Sequence, residues 1–331
     1  MNQLIGEINK IIPGARLVGG SVRDYLLGMD PHDFDFCTQH KPDEIELLVK
    51  SSGKRTYTAG RRFGTIGFRH DGKFIEVTTY RNEVYDKKRQ PDVEFISSIE
   101  EDLSRRDFTM NAIAYDGQDY IDPFNGVDDI DARIIRAVGD PTRRFKEDPL
   151  RMLRAVRFLA QLDFKIEEKT YRSIKKNANL ILSISKERWM QELDKMLVSD
   201  NVAKGLSVLA DSGLLKFIIP ELALQIGYGQ NGDCQELDLF EHTIKVVEKT
   251  DNDRELRWAA LLHDIGKPFV RTENSAGRND YTFHDLIGAE LVDGIAKRLK
   301  WSNEMSKNVE MLVRHHLKDD SPLREANSAS R

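Results

Sequence analysis

The 331-residue chain has few of the residues that stabilise secreted or zinc-bound folds, and it has no segment suited to a membrane. It contains two cysteines, Cys37 and Cys234, which are too few for a disulfide framework or a zinc cluster. Its first residues, MNQLIGEINK, form no basic, apolar leader, and no hydrophobic run approaches membrane-spanning length. We therefore expect a cytoplasmic protein with no membrane partner, in which Cys37 is a small core residue.

The chain also lacks the overall positive charge that many nucleic-acid-binding proteins carry, because its net charge is -5. Residues 141–190 nevertheless contain thirteen Lys or Arg against six Asp or Glu. Such a local excess is typical of a surface that contacts a phosphate backbone. Helices that carry many ion pairs would give the same composition. The basic residues of interest are Arg143, Arg144, Arg154, Arg157, Arg172, Lys175 and Lys176.

Composition and periodicity predict several domains and no internal repeat. With 40% hydrophobic and 32% charged residues, the chain is long enough for two or more cores. Residues 1–140 alternate helical and strand patterns, which predicts an α/β head with a small mixed sheet. Strand signals stop at Pro141, and we expect an all-α neck and body at 141–226, a glycine-rich linker at 227–235 and a helical region at 236–331. The predicted neck helices are 147–162, 167–178 and 186–198.

A glycine pair precedes two carboxylates in the first part of the head. Leu17 and Val18 end a predicted buried strand. Gly19 and Gly20 allow a tight turn whose backbone N–H groups can approach a phosphate at the start of the next helix. A glycine pair alone usually marks only a turn, so the prediction of a phosphate site depends on the carboxylates that follow it.

Those carboxylates have the spacing of a metal site. Asp33 and Asp35 alternate with Phe34 and Phe36, so a strand here would place both carboxylates on one face and the aromatic rings in the core. Two oxygen ligands on one face suit Mg²⁺. Glu76 interrupts an apolar, β-branched strand, where a charge must be paired, ligate a metal or face solvent. We favour ligation, and the combination predicts nucleotidyl transfer.

Three motifs then identify a family resemblance over about residues 15 to 225. They are residues 18–24 (VGGSVRD) with Asp33 and Asp35, residues 105–112 (RRDFTMNA), and residues 147–158 (EDPLRMLRAVRF). In this order they resemble the class II tRNA nucleotidyltransferases and their bacterial poly(A) polymerase relatives. The resemblance implies a template-independent enzyme that adds CCA to tRNA 3′ ends from CTP and ATP. CC-adding, A-adding and poly(A)-polymerase variants share most of these motifs and remain alternatives.

The resemblance also implies roles for the head residues. Asp33, Asp35 and Glu76 would bind two Mg²⁺ ions, which would activate the RNA 3′-hydroxyl and stabilise the leaving pyrophosphate. Arginines are expected at the triphosphate, with Arg106 the first candidate. The residues implied in nucleotide binding are Gly19, Gly20, Arg23, Arg106, Asp107, Asn111, Asp148, Arg151, Arg154 and Arg157.

Asp148 and Arg151 carry the more unusual implication, a protein template that reads the incoming base. A carboxylate accepts a hydrogen bond from the exocyclic amine of C or A, and a guanidinium donates to ring or carbonyl acceptors. Selection of CTP and ATP over UTP and GTP follows as a hypothesis. An intrahelical ion pair between Glu147 and Arg151 is the simpler explanation of that spacing.

The stretch 80–91 (YRNEVYDKKRQP) is too polar for a buried strand, and a solvated loop without a function would explain its composition. In the family, the corresponding loop helps the switch from C to A addition. Arg89 matches a loop arginine, whereas Asp86 falls one position early and Gln90 replaces a second arginine. The retained length favours full CCA addition.

Five of the eight histidines follow residue 235, and their order along the chain resembles that of the HD phosphohydrolase superfamily. The resemblance implies a transition-metal site, with His242, His263, Asp264, His284 and His315 as candidate ligands. HD enzymes complete this site with a later aspartate, for which Asp319 and Asp320 are the nearby substitutes. We therefore expect a shortened HD domain at 236–331 that binds metal weakly or serves as structure. A metal-dependent phosphohydrolase is the alternative function of another class.

Overall fold

The computed structural model describes residues 1–31, 33–84, 92–229, 237–275, 277–318, 321 and 323. The chain divides into two compact units, Met1–Glu147 and Asp148–Arg331. The first unit is an α/β fold and the second is helical, as predicted.

The first unit contains six helices and ten strands among its described residues. The helices are α1 Asn2–Ile11, α2 Gly20–Leu26, α3 Pro42–Ser51, α4 Ile99–Ser104, α5 Gly126–Asp131 and α6 Pro141–Glu147. The strands are β1 Arg16–Val18, β2 Phe34–Thr38, β3 Thr56–Tyr57, β4 Thr65–His70, β5 Lys73–Thr79, β6 Arg81–Val84, β7 Asp92–Phe95, β8 Ala114–Tyr115, β9 Tyr120–Ile121 and β10 Ile134–Ile135.

Seven of these strands form a mixed sheet in the order β3-β4-β5-β2-β1-β8-β9. Strands β2 and β5 run parallel, whereas their other neighbours in the sheet pair antiparallel. The turn between β4 and β5 consists of Asp71 and Gly72, both at positive φ, which matches the twist of a two-residue hairpin. This hairpin brings β5, and with it Glu76, beside β2.

Burial along the sheet follows the predicted alternation. Phe34 and Phe36 of β2 and Ile75 and Val77 of β5 are buried. Glu76, between the last two, is exposed. Because successive side chains of a strand point to opposite faces, the core holds the apolar set and the other face carries the acidic one.

The second unit contains eleven helices and three very short strands among its described residues. The helices are α7 Leu150–Leu162, α8 Glu168–Asn177, α9 Lys186–Leu197, α10 Val202–Asp211, α11 Leu215–Ile218, α12 Pro220–Ala223, α13 Leu239–Lys249, α14 Arg254–Leu262, α15 Lys267–Val270, α16 His284–Leu299 and α17 Asn303–Arg314. The strands are β11 Lys165–Ile166, β12 Thr272–Glu273 and β13 Asn279–Asp280.

Two local expectations were wrong. Strand structure does not stop completely at Pro141, because β12 and β13 pair as a small antiparallel ribbon. The predicted helix 147–162 is also interrupted, since α6 ends at Glu147 and α7 begins at Leu150. Pro149 explains the break, because proline disfavours the helical conformation at the residue before it and has no N–H to donate.

The helices of the second unit pack around two buried tryptophans. Helix α7 packs against α9 and α10, and α14 packs against α17. Trp189 of α9 and Trp258 of α14 are fully buried, and the Trp258 Nε1 donates to Asp194 Oδ1 at 2.8 Å. No helix in the described part of the chain is both long and apolar enough to cross a membrane.

Candidate active site and histidine cluster

The acidic residues of the head meet where β2 and β5 pair. Asp35 lies directly opposite Glu76 in the parallel register. In-register neighbours share a face of the sheet, so both carboxylates lie on the face opposite Phe34 and Phe36. Asp33 does not lie on the strand as expected, because β2 begins at Phe34, and it is exposed just before it.

The electrostatics at Asp35 indicate a lack of positive charge. Burial is the largest effect and Glu76 the next, and together they raise the pKa of Asp35 to about 6. Arg106 opposes the rise and Asp33 adds to it. A divalent cation would supply the missing charge, so this donor set fits Mg²⁺. The arrangement is open, since among the described residues these three carboxylates do not gather within 4.8 Å of one another.

Ser21 ties the glycine turn to the acidic strand, a role that sequence reasoning missed. Its hydroxyl donates to the Asp33 carbonyl oxygen at 2.8 Å and accepts from the Asp35 N–H at 3.1 Å. Ser21 is itself buried in the first turn of α2. The backbone on both sides of Phe34 is therefore fixed relative to α2, which holds the two aspartates in place.

The turn at Gly19 brings the backbone against Arg106. Gly19 has φ 70°, a conformation that favours glycine, and a Cβ added there would lie 2.9 Å from Arg106 Nη1. Arg106 also donates to the Asn111 carbonyl oxygen at 3.4 Å, while its buried Nε has no hydrogen-bond partner in the described part of the chain. The guanidinium therefore lies beside the glycine turn through its Nη1 atom.

A buried hydrogen-bond network joins three other residues that the family resemblance implied. Arg23 Nη1 donates to Asn111 Oδ1 at 2.8 Å, and Asn111 Nδ2 donates to Asp107 Oδ1 at 3.0 Å. Arg23 is also paired with Asp24 at 2.6 Å. The network therefore connects α2 to the RRDFTMNA segment, next to the residue that contacts Gly19.

Asp102 is a second residue that sequence reasoning missed. It is fully buried in α4 and pairs with Arg105 at 2.9 Å and with Arg106 at 3.3 Å. Burial alone would raise its pKa, but these two arginines and the hydrogen bonds that it accepts lower it below the ordinary value. A carboxylate three and four residues before two arginines was a visible helical signal.

In the second unit, Asp148 precedes α7 and is held by several donors. Its Oδ1 accepts from the Leu150 N–H at 3.1 Å, and its Oδ2 accepts from Arg188 Nη2 at 2.7 Å. Arg151 is buried in the first turn of α7. Glu147, at the end of α6, pairs with Arg143 at 3.0 Å and Arg144 at 2.8 Å.

Much of the basic excess in residues 141–190 is paired within the protein. Arg157 pairs with the buried Glu192 at 2.6 Å, and Arg154 lies 3.7 Å from the same carboxylate. Both guanidinium groups also lie over the Phe158 ring. Lys175 pairs with Asp211 at 3.1 Å. The ion-paired helices that the sequence left as an alternative therefore account for part of the excess.

The histidine cluster lies in the second unit and is deeply buried. His263 and Asp264 follow α14, and they meet His242 of α13, His284 of α16 and His316. His263 Nε2 lies 3.1 Å from Asp264 Oδ2, and His242 Nε2 lies 3.5 Å from that oxygen. On the other side, His284 Nε2 and His316 Nε2 lie 3.2 Å and 3.7 Å from Asp264 Oδ1.

The choice of His315 as a ligand was wrong, because its neighbour His316 occupies that place. His315 is the C-cap of α17 and is only half-buried, whereas His316 is fully buried. His316 Nδ1 lies 2.7 Å from the Val313 carbonyl oxygen, which turns Nε2 toward the cluster. Asp319 and Asp320 lie outside the described residues, as do Arg89 of the predicted loop and Cys234. Cys37 is buried, as expected.

The cluster has the donor types of a transition-metal site, and Lys267 Nζ lies 2.7 Å from Asp264 Oδ2 beside them. Burial would raise the pKa of Asp264, but His263 and Lys267 hold it well below its usual range. Burial lowers the pKa of His316 to about 4, and the neighbouring His263 adds to this effect. Imidazole nitrogens around a carboxylate are a donor set that binds transition metals.

Three family models match successive parts of the chain. They are the poly A polymerase head domain at residues 15–136, the probable RNA and SrmB-binding site of polymerase A at residues 163–225, and the HD domain at residues 234–329.

Relatives and solved structures agree with these matches. The chain is 38% identical over 295 residues to the CCA-adding enzyme of Geobacillus kaustophilus, covering 88% of this chain and 69% of that relative. It is 36% identical over 337 residues to the CCA-adding enzyme of Streptococcus suis, covering 98% of this chain and 75% of the relative. The structure of the Bacillus stearothermophilus CCA-adding enzyme in complex with CTP matches with a TM-score of 0.66 at 33% identity, covering 99% of this chain and 81% of that one.

The head fold, its acidic strand pair and these matches define a nucleotidyltransferase. The chain belongs to the family of CCA-adding enzymes.

Proposed function

We propose that this chain adds C, C and A to the 3′ end of tRNA, using CTP and ATP. The observation that carries the proposal is the placement of Asp35 opposite Glu76, where burial and then the Glu76 charge raise the pKa of Asp35 to about 6. The relatives named CCA-adding enzymes support the same activity, and one of their solved structures holds CTP. We assign the head to residues 1–140, the neck and body to 141–226, and the HD region to 236–331.

In this proposal Asp33, Asp35 and Glu76 hold two Mg²⁺ ions. When bound, such ions activate a hydroxyl nucleophile and stabilise charge on the transferring and leaving oxygens. The protein's own part is positioning. The Ser21 hydroxyl fixes the backbone at Asp33 and Asp35, so the carboxylates need little rearrangement when ligands arrive.

The glycine turn and the arginines around it bind the triphosphate. Arg106 Nη1 lies beside Gly19, so a phosphate at the turn can accept from both the guanidinium and backbone N–H groups. Asp107 and Asn111 hold Arg23 through the buried network. Asp102 pairs with Arg106 Nη2 at 3.3 Å and so helps to hold the guanidinium in place.

Base choice is assigned to Asp148 and Arg151. An ionised carboxylate only accepts hydrogen bonds, so it favours the exocyclic amines of C and A and disfavours the carbonyl oxygens of U and G. Arg151 donates to the ring or carbonyl acceptors. Arg154 and Arg157 extend along the same helix, and we include them in the nucleotide-binding set.

Extension of three tRNA transcripts tests this proposal. The transcripts end before CCA, after C and after CC, and each is incubated with one labelled nucleotide and Mg²⁺. We expect C on the first two, A on the third, and no further growth. Asp35→Ala should abolish incorporation, whereas Asp116→Ala, an exposed aspartate in the turn between β8 and β9, should not. A stop after CC, addition of A alone, long A tails or no incorporation would each contradict the proposal.

The histidine cluster supports a second candidate function, metal-dependent phosphohydrolysis. Its support is the burial of four imidazoles around Asp264, where His263 Nε2 lies 3.1 Å from Asp264 Oδ2 without the geometry of a hydrogen bond. A buried polar atom without a partner is costly unless a ligand satisfies it. Hydrolysis of cyclic phosphates and nucleotides with added Mn²⁺ or Ni²⁺, compared with His263→Ala, tests this function. No turnover on that panel would reject it.

A further inference from the structure

Asp148 and Arg188 form a bidentate pair across forty residues of sequence. Arg188 Nη2 donates to Asp148 Oδ2 at 2.7 Å, and its Nη1 donates to Oδ1 at 3.4 Å. The Asp148 side chain is 19% exposed and that of Arg188 is 44% exposed. A two-pronged contact defines the plane of a carboxylate as well as its position, which a single contact cannot do.

The hydrogen bonds at Asp148 leave a defined acceptor position open. Each carboxylate oxygen can accept two hydrogen bonds. Oδ1 accepts from the Leu150 N–H and from Arg188, whereas Oδ2 accepts only from Arg188 in the part of the chain that the structure describes. One acceptor position on Oδ2 is therefore available to an amine, and Arg188 determines where it points.

Arg188 can play this role because α9 is firmly anchored. Its next residue, Trp189, is fully buried and donates from Nε1 to the Ile181 carbonyl oxygen at 3.1 Å. One turn later, the buried Glu192 pairs with Arg157 of α7 at 2.6 Å. Helix α9 therefore contacts the α7 region at two points. Arg188 pairs with Asp148 just before α7 begins, and Glu192 pairs with Arg157 within α7.

We propose that Arg188 is a positioning residue that orients the Asp148 carboxylate for base selection, an inference that rests on the proposed role of Asp148. In the absence of Arg188, Asp148 keeps the contact with Leu150 and can rotate about it. A rotated carboxylate no longer opposes the O4 carbonyl oxygen of UTP, and it no longer meets the exocyclic amine of CTP at its best angle. Discrimination between CTP and UTP therefore falls, while the transfer step keeps its own residues.

The experiment compares kcat/KM for CTP and for UTP on a tRNA that ends before CCA. For Arg188→Ala we expect the CTP-to-UTP ratio of kcat/KM to fall about ten-fold, which corresponds to about 1.4 kcal/mol, the size of one hydrogen bond's net contribution. Arg188→Lys retains the positive charge but not the two-pronged guanidinium contact, so its CTP-to-UTP ratio should lie between those of the wild type and Arg188→Ala. Arg254→Ala is the matched control, because Arg254 pairs with Asp194 at the same 2.7 Å and is 47% exposed, yet it does not touch Asp148. It should leave the ratio unchanged.

Asp148→Asn separates this inference from the proposed function. If Asp148→Asn leaves the ratio unchanged, the proposed role of Asp148 fails. If Asp148→Asn lowers the ratio and Arg188→Ala does not, only the positioning role fails. The double variant should be no less selective than Asp148→Asn alone, since Arg188 acts through that carboxylate. A uniform loss with all four nucleotides, or a raised KM for tRNA alone, would overturn the inference.

Discussion

The acidic face of the head should lower the stability of the protein in the absence of divalent ions. The pKa of Asp35 lies near 6, against an ordinary value of 3.8. A carboxylate whose pKa is raised by folding favours the folded state while it is protonated. That contribution is present below about pH 4 and is lost as the pH rises through about 6. Raising the pKa of Asp35 by about two corresponds to at most about 3 kcal/mol in the free energy of unfolding.

Asp35→Asn removes this charge with little change in shape, so it should stabilise the metal-free protein. We expect a gain of about 1–3 kcal/mol in the free energy of unfolding above pH 7, even though activity is lost. The gain should grow between pH 4 and pH 6 and then level off. The assay is urea denaturation in EDTA across that range, followed by Mg²⁺ addition, which should stabilise the wild type more than the variant.

Asp33→Asn is the matched control, because Asp33 is exposed and lies two residues away. Its effect without divalent ions should stay within about 0.5 kcal/mol, as for most surface substitutions. If Asp35→Asn proves equally or less stable than the wild type at pH 8 in EDTA, the inferred charge imbalance is refuted.

Three further outcomes are expected. Gly19→Ala should destabilise the head by about 1 kcal/mol or more and lower kcat. The φ of 70° at this position is strained for alanine, and the added Cβ would meet Arg106. Unchanged kcat and Tm would contradict this prediction. Asp102→Asn should lower the free energy of unfolding, measured by urea denaturation, by about 3–5 kcal/mol, because Arg105 and Arg106 lose their buried carboxylate. A loss below about 1 kcal/mol would contradict this prediction. In excess Mg²⁺, which occupies the carboxylates of the head, added Mn²⁺ should still bind by calorimetry and raise Tm, and His263→Ala should remove both effects. Mn²⁺ binding under these conditions that survives the substitution would exclude the cluster.

The sequence predicted those parts of the head that depend on local pattern. Alternation of aspartate and phenylalanine indicated the strand at β2, and the burial of Phe34 and Phe36 agrees with it. The parallel pairing that brings Asp35 opposite Glu76 joins segments about forty residues apart, and no local period specifies its register. The carboxylate set was visible in the sequence, but its geometry was not.

Long-range polar contacts were the least predictable part of the candidate site. The Ser21 bridge and the pair between Arg188 and Asp148 depend on how separate elements pack. The error at His315 has a related cause. Helix α17 ends at Arg314, so the side chains after it no longer follow the helical period, and only the backbone turn decides which histidine faces Asp264.

The most direct test of the proposed activity is the intact mass of a tRNA that lacks its 3′-terminal CCA. The tRNA is first incubated with the protein, Mg²⁺ and all four nucleotides together. We predict a single product heavier by two cytidylate residues and one adenylate residue, with no longer species at extended times. A ladder of adenylate additions, incorporation of U or G in place of C or A, or an unchanged mass would contradict the assignment of CCA addition to this chain.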